Sequence, residues 1–216
     1  MITSYVISIF SIKESMQAAN RCIKSAKEFG IDVKKFKAFT PDDDPIARLK
    51  EKGIDASGMK EVYSRMERAA AGFLSHLTLW EKCANDCVKY LIFEHDAVVV
   101  DKIPVTAPFE KVMTIGKPSY GKFKTPATLG VSPLIHKRYF GGAHAYMLNP
   151  DGAKELLEKA KSGKAIPTDV FLNLDNFPWL QEYYPWPAEA HDSFSTIQNT
   201  NGCLAKHNYS EGYHLL

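Results

Sequence analysis

The sequence lacks any long apolar run. No stretch of its 216 residues approaches the roughly 20 apolar residues that a transmembrane helix needs. It also lacks an excess charge of one sign, since 27 lysines and arginines stand against 25 aspartates and glutamates. A nucleic-acid binder usually carries a clear basic excess, so we expect no nucleic-acid partner. The N-terminus carries no positive segment ahead of its apolar residues, which predicts a cytoplasmic protein without a signal peptide, able to work peripherally at a membrane.

Cysteine is scarce and has no recognisable pattern. The four cysteines form neither a CxxC pair nor the Cys/His spacing that is typical of zinc sites. Cys83 and Cys87 lie four residues apart on the apolar face of a predicted helix. We therefore interpret the cysteines as reduced, buried thiols, which is the usual fate of such residues in a reducing compartment.

What the sequence does contain is the pattern of an α/β protein of one domain, covering residues 1–216, with a polar tail from about residue 204. Residues 5–10 form an apolar, β-branched run that predicts a buried strand. Ser11 and Glu14 match a capping box, which predicts the start of a helix. Strand, helix and strand at this spacing predict a sheet flanked by helices. The further predicted elements are strands at 31–39, 90–93, 97–100 and 144–148, helices at 44–53, 59–70, 73–88 and 149–161, and a short helix capped by Thr168.

Residues 111–150 contain no acidic side chain. Their centre is rich in glycine, proline, serine and threonine, which predicts long surface loops. Loops of that length in a compact domain are usually functional or mobile. We expect residues 111–142 to form a lid whose positive potential faces an anionic ligand.

Glu94, His95 and Asp96 interrupt an otherwise buried strand, which is an expensive place for polar groups. Alternate residues of a strand point the same way, so Glu94 and Asp96 can share one site. Two carboxylates suit Mg²⁺ or Mn²⁺ held against a diphosphate. The alternative for this triplet alone is a solvated strand end.

Three further segments are candidates for chemistry. Gly72 to His76 open the predicted amphipathic helix, where free backbone N–H groups suit phosphate or ribose oxygens, although a lone histidine is more often a satisfied core residue. Asp169 lies in the first turn of a short predicted helix, so we expect the helix dipole to lower its pKa; a plain capping role is the alternative. His191 begins a polar cluster that could equally be a surface turn.

Read together, these segments resemble glycosyltransferase family 25, the lipopolysaccharide-type and collagen-type galactosyltransferases. The resemblance extends from about residue 5 to residue 200 and keeps one order. The segments that carry it are residues 5–10, Gly-Phe-Leu-Ser-His-Leu-Thr-Leu-Trp at 72–80, Leu-Ile-Phe-Glu-His-Asp-Ala at 91–97, residues 141–157, Ile-Pro-Thr-Asp-Val-Phe-Leu at 166–172, and Phe-Ser-Thr-Ile at 194–197.

The resemblance implies a GT-A type nucleotide-diphospho-sugar transferase fold and transfer with inversion at the sugar carbon. It implies a UDP-sugar donor, with galactose or glucose as first guesses, and a glycan, lipid-linked or protein acceptor. Asp169 is then the base, with His144 or His191 as alternatives. The metal, Mn²⁺ or Mg²⁺, is assigned to Glu94, Asp96 and His191. The donor is assigned to Ile9, Phe39, Gly72, Ser75, His76 and Glu94, and the acceptor to Gly142 and His144.

Two departures from the family pattern stand out. The acidic motif usually reads Glu-Asp-Asp, and His95 replaces its middle residue here. The region after the first strand usually carries arginines, whereas this chain has only Lys13, with Arg21 further on. A non-catalytic sugar-binding or interaction module on the same fold, and a metal-dependent hydrolase of nucleotide diphosphates, therefore remain as rivals.

Overall fold

The structure, a computed structural model, describes residues 2–60, 64–191, 194–198 and 214–216. Most of the predicted polar tail lies outside these residues, as do Asp192, Ser193 and Cys203. None of the described helices combines the length and the apolar character that crossing a membrane requires.

Eleven strands and five α-helices are described, and seven of the strands form one mixed sheet. In chain order the strands are β1 Ile2–Ser8, β2 Val33–Lys37, β3 Lys89–Glu94, β4 Ala97–Val99, β5 Val112–Thr114, β6 Gly130–Pro133, β7 Ala145–Leu148, β8 Gln181–Tyr184, β9 Ala188–Ala190, β10 Phe194–Ser195 and β11 His214–Leu215. The helices are α1 Lys13–Glu28, α2 Pro45–Glu51, α3 Met66–Asp86, α4 Pro150–Ser162 and α5 Thr168–Phe171.

The large sheet has the order β2-β1-β3-β7-β5-β8-β6. Its first three strands are parallel, and β7 then runs antiparallel to β3. The carboxyl ends of β1, β2 and β3 therefore meet the start of β7 at one edge of the sheet. In open α/β sheets this edge is where ligands commonly bind.

Alternation along β3 shows why the sheet is covered on both faces. Leu91 and Phe93 pack in a cluster with residues of α1, whereas Tyr90 and Ile92 pack in a cluster with residues of α3 and α4. All four side chains are fully buried. Burying a side chain of this size contributes about 1.5–3 kcal/mol. The predicted mixed α/β fold, a central sheet flanked by helices, is thereby confirmed; the narrower GT-A assignment stays a prediction.

Several local predictions are confirmed. The strands expected at 90–93, 97–100 and 144–148 are β3, β4 and β7. Asp44 caps α2 by accepting a hydrogen bond from the backbone of Ala47 at 3.3 Å. Asn149 caps α4 in the same way, at 2.8 Å from the nitrogen of Gly152.

The capping box at Ser11 and Glu14 is wrong. Helix α1 begins after Ile12, whose side chain cannot cap. The hydroxyl of Ser15 instead accepts a hydrogen bond from the nitrogen of Ile9 at 2.9 Å. The side chain that secures the strand-to-helix turn therefore lies inside the helix and not at its cap.

The two helices expected at 59–70 and 73–88 are also wrong as separate elements, because a single helix, α3, covers the end of the first range and nearly all of the second. The alanines at 69–71 have the highest intrinsic helix propensity and carry the helix through Gly72. The free N–H groups of a helix start therefore do not lie at Gly72. Cys87, expected in the apolar face, is an exposed left-handed cap at φ 55°, while Cys83 and Cys22 are buried as predicted.

The stretch expected to consist of loops contains two short strands, β5 and β6. They are three and four residues long, and they are held by pairing with β7 and β8 and not by a pattern of their own. Thr168 is the first residue of α5 and not its cap, since Pro167 occupies the cap position.

Candidate active site

A pocket of about 600 Å³ opens at the edge where β1, β2 and β3 end. Its lining comes from the segments after these strands, the first half of α3, the start of α5 and the residues of β10. Of the predicted site residues it brings together Ile9, Phe39, Gly72, Ser75, His76, Glu94, Asp96, Gly142 and Asp169. His144 and His191 do not line it.

Glu94 is the last residue of β3, and the sheet fixes its main chain. Its nitrogen donates to the carbonyl oxygen of His144 at 3.0 Å, across the β3–β7 pair. Its carboxylate is one third exposed to the pocket, and Oε1 lies 3.1 Å from Nε2 of His76. The polar interruption in the sequence is thus the point where a buried strand reaches the pocket.

His76 is a buried residue with both ring nitrogens bonded. Besides Glu94, its Nδ1 lies 2.8 Å from the hydroxyl of Tyr146, which also accepts a hydrogen bond from the indole of Trp80 at 2.8 Å. His76 is 2% exposed. His76 is therefore a hydrogen-bonded core residue, as a lone histidine usually is, and it also contacts a carboxylate of the pocket.

His95, the residue that departs from the family's acidic motif, is held on two sides. Its Nδ1 lies 3.1 Å from the hydroxyl of Ser15, and its ring stacks on Phe194 with a centroid distance of 5.3 Å. His95 therefore joins the turn after β3 to α1 and to β10. Glu94 and Asp96, on either side of it, both line the pocket.

His191 was assigned to the metal site, and that assignment stays a prediction. Its main-chain nitrogen donates to the carbonyl of Asp96 at 2.9 Å, which is why it lies near the acidic turn. Its imidazole is half exposed, however, and its Nε2 lies 3.8 Å from a carboxylate oxygen of Glu189. Among the residues that the structure describes, no three histidines, cysteines or acids lie close enough together to hold a metal ion.

Asp169 faces the same pocket from α5. Its carboxylate accepts hydrogen bonds from the hydroxyl of Tyr120 and, at 2.9 Å, from the nitrogen of Val170. Loss of surrounding water raises the pKa of Asp169 above its ordinary value, and the charge of Glu94 adds to that rise. The expected lowering by the helix dipole is wrong, because α5 has only four residues and desolvation outweighs it.

Tyr120, Tyr139 and Lys137 were not predicted as site residues. Tyr120 and Tyr139 both line the pocket, and their rings stack with a centroid distance of 6.3 Å. The ammonium of Lys137 lies 4.4 Å from the ring centre of Tyr120, and burial lowers its pKa. The only sequence signal was the absence of acids around them, which pointed to the segment but not to the residues.

Gly142 lines the pocket, but His144 lies behind it. A Cβ at Gly142, which has a φ of +116°, would lie 2.8 Å from Nδ1 of His144, and one at Gly116 would lie 2.4 Å from its Nε2. Neither ring nitrogen has a hydrogen-bond partner in the described part of the chain. Burial lowers the pKa of His144. His144 is thus placed as a buried neighbour of the site and not as an acceptor contact.

The donor candidates divide into lining and bracing residues. Ile9 and Phe39 form the wall beyond β1 and β2. The hydroxyl of Ser75 accepts from the nitrogen of Phe39 at 2.9 Å and donates to the carbonyl of Ala71 at 2.8 Å. Ser75 therefore ties the end of β2 to α3. Gly72 lies inside α3, where a Cβ would approach the side chain of Ile197 to 3.3 Å.

Two arginines at the start of α3 were also missed. Arg68 lines the pocket and donates to the main-chain oxygens of Thr196, at 3.2 Å, and Leu216, at 2.8 Å. Arg65 donates to the same oxygen of Leu216 at 2.6 Å, and burial lowers its pKa. Among the described residues, no aspartate or glutamate side chain forms an ion pair with either arginine.

Comparison with known proteins identifies a family and several solved structures of similar fold. The profile of glycosyltransferase family 25 (LPS biosynthesis protein) matches residues 1–113, which include α3 and the Glu94–Asp96 turn but not Asp169. Among solved structures, CTP:phosphocholine cytidylyltransferase (LicC) from Streptococcus pneumoniae is similar, with 11% identity and a TM-score of 0.39 over 88% of this chain and 93% of that one. No curated protein matches the chain.

Proposed function

Because the chain belongs to glycosyltransferase family 25, we propose that it transfers a hexose from a UDP-sugar to a hydroxyl group, with a divalent metal and with inversion at the sugar carbon. The acceptor would be a glycan, a lipid-linked sugar or a protein side chain. The observation that carries this proposal is that one pocket contains both the Glu94–Asp96 pair and Asp169, a carboxyl group of raised pKa.

The carboxylate pair fits a metal that is only partly held by the protein. Mg²⁺ and Mn²⁺ prefer oxygen ligands, and Mg²⁺ sites often use one or two carboxylates together with substrate phosphates. Glu94 and Asp96 would supply the protein ligands, and a donor diphosphate would supply others, so a third protein ligand such as His191 is not required. When bound, the metal would neutralise charge on the departing diphosphate.

Asp169 is suited to accept the proton of the attacking hydroxyl. Inversion in one step requires a base on the side opposite the leaving group. A carboxylate of raised pKa is a stronger base at neutral pH than an ordinary one, and the Tyr120 hydroxyl orients it. Tyr120 and Tyr139 would form the aromatic wall of the acceptor side.

Arg68 would supply a contact to the donor phosphates, because the region after the first strand lacks the arginines that the family usually carries there. Neither Lys13 nor Arg21 lines the pocket, whereas Arg68 does. A guanidinium group binds phosphate oxygens well because its donors form a planar fork.

The test is to incubate the protein with UDP-galactose or UDP-glucose, with and without Mn²⁺, and to identify the products. Release of UDP that depends on Mn²⁺ and increases with a hydroxyl acceptor is the expected result. Release of UMP or phosphate would identify a hydrolase instead. Metal-independent sugar binding without any UDP release would identify a non-catalytic module.

A matched pair of variants makes the test specific. Glu94→Gln should abolish the Mn²⁺-dependent rise in melting temperature caused by UDP. Glu189→Gln, which changes a partly exposed carboxylate that does not line the pocket, should leave that rise unchanged. Full Mn²⁺-dependent UDP binding by a Glu94→Gln, Asp96→Asn double variant would place the metal elsewhere.

A further inference from the structure

A hydrogen-bonded chain runs from the core of the protein to the pocket. It starts at the indole of Trp80, passes through the hydroxyl of Tyr146 and the ring of His76, and ends at Oε1 of Glu94. The successive distances are 2.8, 2.8 and 3.1 Å. Trp80 and Tyr146 are fully buried. His76 and Trp80 are four residues apart on α3, so they share one face of the helix.

The chemistry of the groups sets the direction of each bond. An indole N–H can only donate, so the hydroxyl of Tyr146 accepts from Trp80. The hydroxyl of Tyr146 has one proton, and it can donate that proton to Nδ1 of His76, 2.8 Å away, when Nδ1 carries no hydrogen. The proton of the neutral ring is then on Nε2, which donates to Glu94. In the other tautomer the lone pair of Nε2 would face a carboxylate, and the buried Tyr146 proton would lack this acceptor, which is costly in a dry core.

We propose that Trp80 and Tyr146 fix the tautomer of His76 so that His76 holds one oxygen of Glu94 and presents the other to the metal–diphosphate. His76 is then a positioning residue and not a contact of the sugar donor. This inference rests on the proposed function for the role of Glu94, but the tautomer itself does not depend on it.

Tyr146 allows the hydroxyl to be removed with little change in packing. It stands opposite Ile92 in the β3–β7 register and opposite Thr114 in the β5–β7 register, and a phenylalanine would fill nearly the same volume. Tyr90 is the matched control. It is a fully buried tyrosine of the neighbouring strand, whose hydroxyl donates to Asp86, away from the pocket.

The experiment measures Mn²⁺ affinity in the presence of UDP by calorimetry, for the variants Tyr146→Phe, His76→Leu, His76→Gln and Tyr90→Phe. Loss of a partner that orients a metal ligand typically weakens metal binding about 10- to 100-fold, and we expect this loss for Tyr146→Phe and His76→Leu. His76→Gln keeps an N–H donor near Glu94 and should restore most of the affinity. Tyr90→Phe should bind Mn²⁺ like the unmodified protein.

Nitrogen NMR of the histidine rings in the metal-free protein tests the tautomer directly. The unmodified protein should show His76 protonated on Nε2, and Tyr146→Phe should show a mixture of tautomers. Protonation on Nδ1, or Mn²⁺ affinity in Tyr146→Phe equal to that of Tyr90→Phe, overturns the inference. Failure of the unmodified protein to bind UDP with Mn²⁺ overturns the proposed function instead, and the NMR result then decides the tautomer separately.

Discussion

Replacing Asp169 by asparagine separates its basicity from its shape. The asparagine oxygen can still accept the hydrogen bond from Tyr120, but the side chain cannot take a proton. A positioned general base contributes about 10²–10⁴-fold to the rate. Each factor of ten corresponds to about 1.4 kcal/mol, so the transition state would lose about 3–5 kcal/mol. UDP and Mn²⁺ affinity should remain, since Asp169 does not belong to the carboxylate pair.

The raised pKa of Asp169 also predicts that Asp169→Asn, which should lose activity, gains stability at neutral pH. A carboxyl whose folded pKa lies above its unfolded value contributes stability below the unfolded pKa, and this contribution is lost as pH rises through the folded pKa. At neutral pH the ionised Asp169 is therefore a cost to the fold. Asp169→Asn should raise the melting temperature at neutral pH, by about 2–4 °C for each kcal/mol gained, and the gain should shrink in acid.

The assay compares kcat/KM, calorimetric UDP affinity and melting temperature for Asp169→Asn and Asp151→Asn. Asp151 is a suitable control because it is an exposed aspartate in the first turn of α4 and does not line the pocket. Near-normal transfer by Asp169→Asn would refute its role as base. Loss of UDP–Mn²⁺ binding would place Asp169 among the donor or metal contacts.

Four further predictions follow from the same geometry. Tyr120→Phe removes a hydrogen bond that lowers the pKa of Asp169, so the acid limb of the kcat/KM profile should move to higher pH; an unmoved limb would separate the two residues. Arg68→Gln should weaken UDP binding about 10- to 100-fold and leave uridine binding unchanged; equal losses would contradict a phosphate contact. Trypsin should cut residues 111–142 more slowly when UDP and Mn²⁺ are bound, whereas equal cutting would argue against a lid. Burial alone would raise the pKa of Glu182, but its hydrogen bonds outweigh burial and hold that pKa below its ordinary value. The stability that Glu182 contributes to the fold should therefore be lost as pH falls below about 4.3 and through the folded pKa. Denaturant melts of Glu182→Gln should lack this acid-dependent loss of stability.

Glu182 also shows how the loops around the pocket are held. Its carboxylate is fully buried and accepts from the nitrogens of Ile135 and His136, at 2.6 and 2.9 Å, and from the ring of His136 at 2.9 Å. The chain then continues directly to Lys137 and Tyr139 at the site. An anchor on β8 therefore positions residues whose own segment has little regular structure.

The parts of the fold that were predictable depend on local patterns. Strands β3 and β7 are continuous apolar runs because both faces of the sheet are covered, and α4 begins at an Asn-Pro cap. Strands β5 and β6 were not predictable, because a strand of three or four residues is stabilised by its partners and not by its own sequence.

The residues of the candidate site also divide into those that local sequence patterns predict and those that they do not. Glu94 and Asp96 were found because a polar turn after a buried strand is a local anomaly. The contact between Tyr120 and Asp169 joins residues 49 positions apart and has no local signal. Arg68 lies in a polar helical segment without apolar periodicity, so the sequence did not indicate which of its side chains faces the pocket. For His191, the structure shows a main-chain contact with the acidic turn, which no side-chain pattern in the sequence could predict.

The charge of the pocket explains why a metal and the donor should bind together. The lining residues that the structure describes include the carboxylates of Asp42, Glu94, Asp96 and Asp169, against the single guanidinium of Arg68. A nucleotide diphosphate would enter such a pocket against repulsion, and the carboxylates also repel one another. A divalent cation held by Glu94 and Asp96 would reduce both the repulsion between these carboxylates and the repulsion of the diphosphate. Coupling of this kind is reciprocal, so UDP must strengthen metal binding by the same factor that the metal strengthens UDP binding.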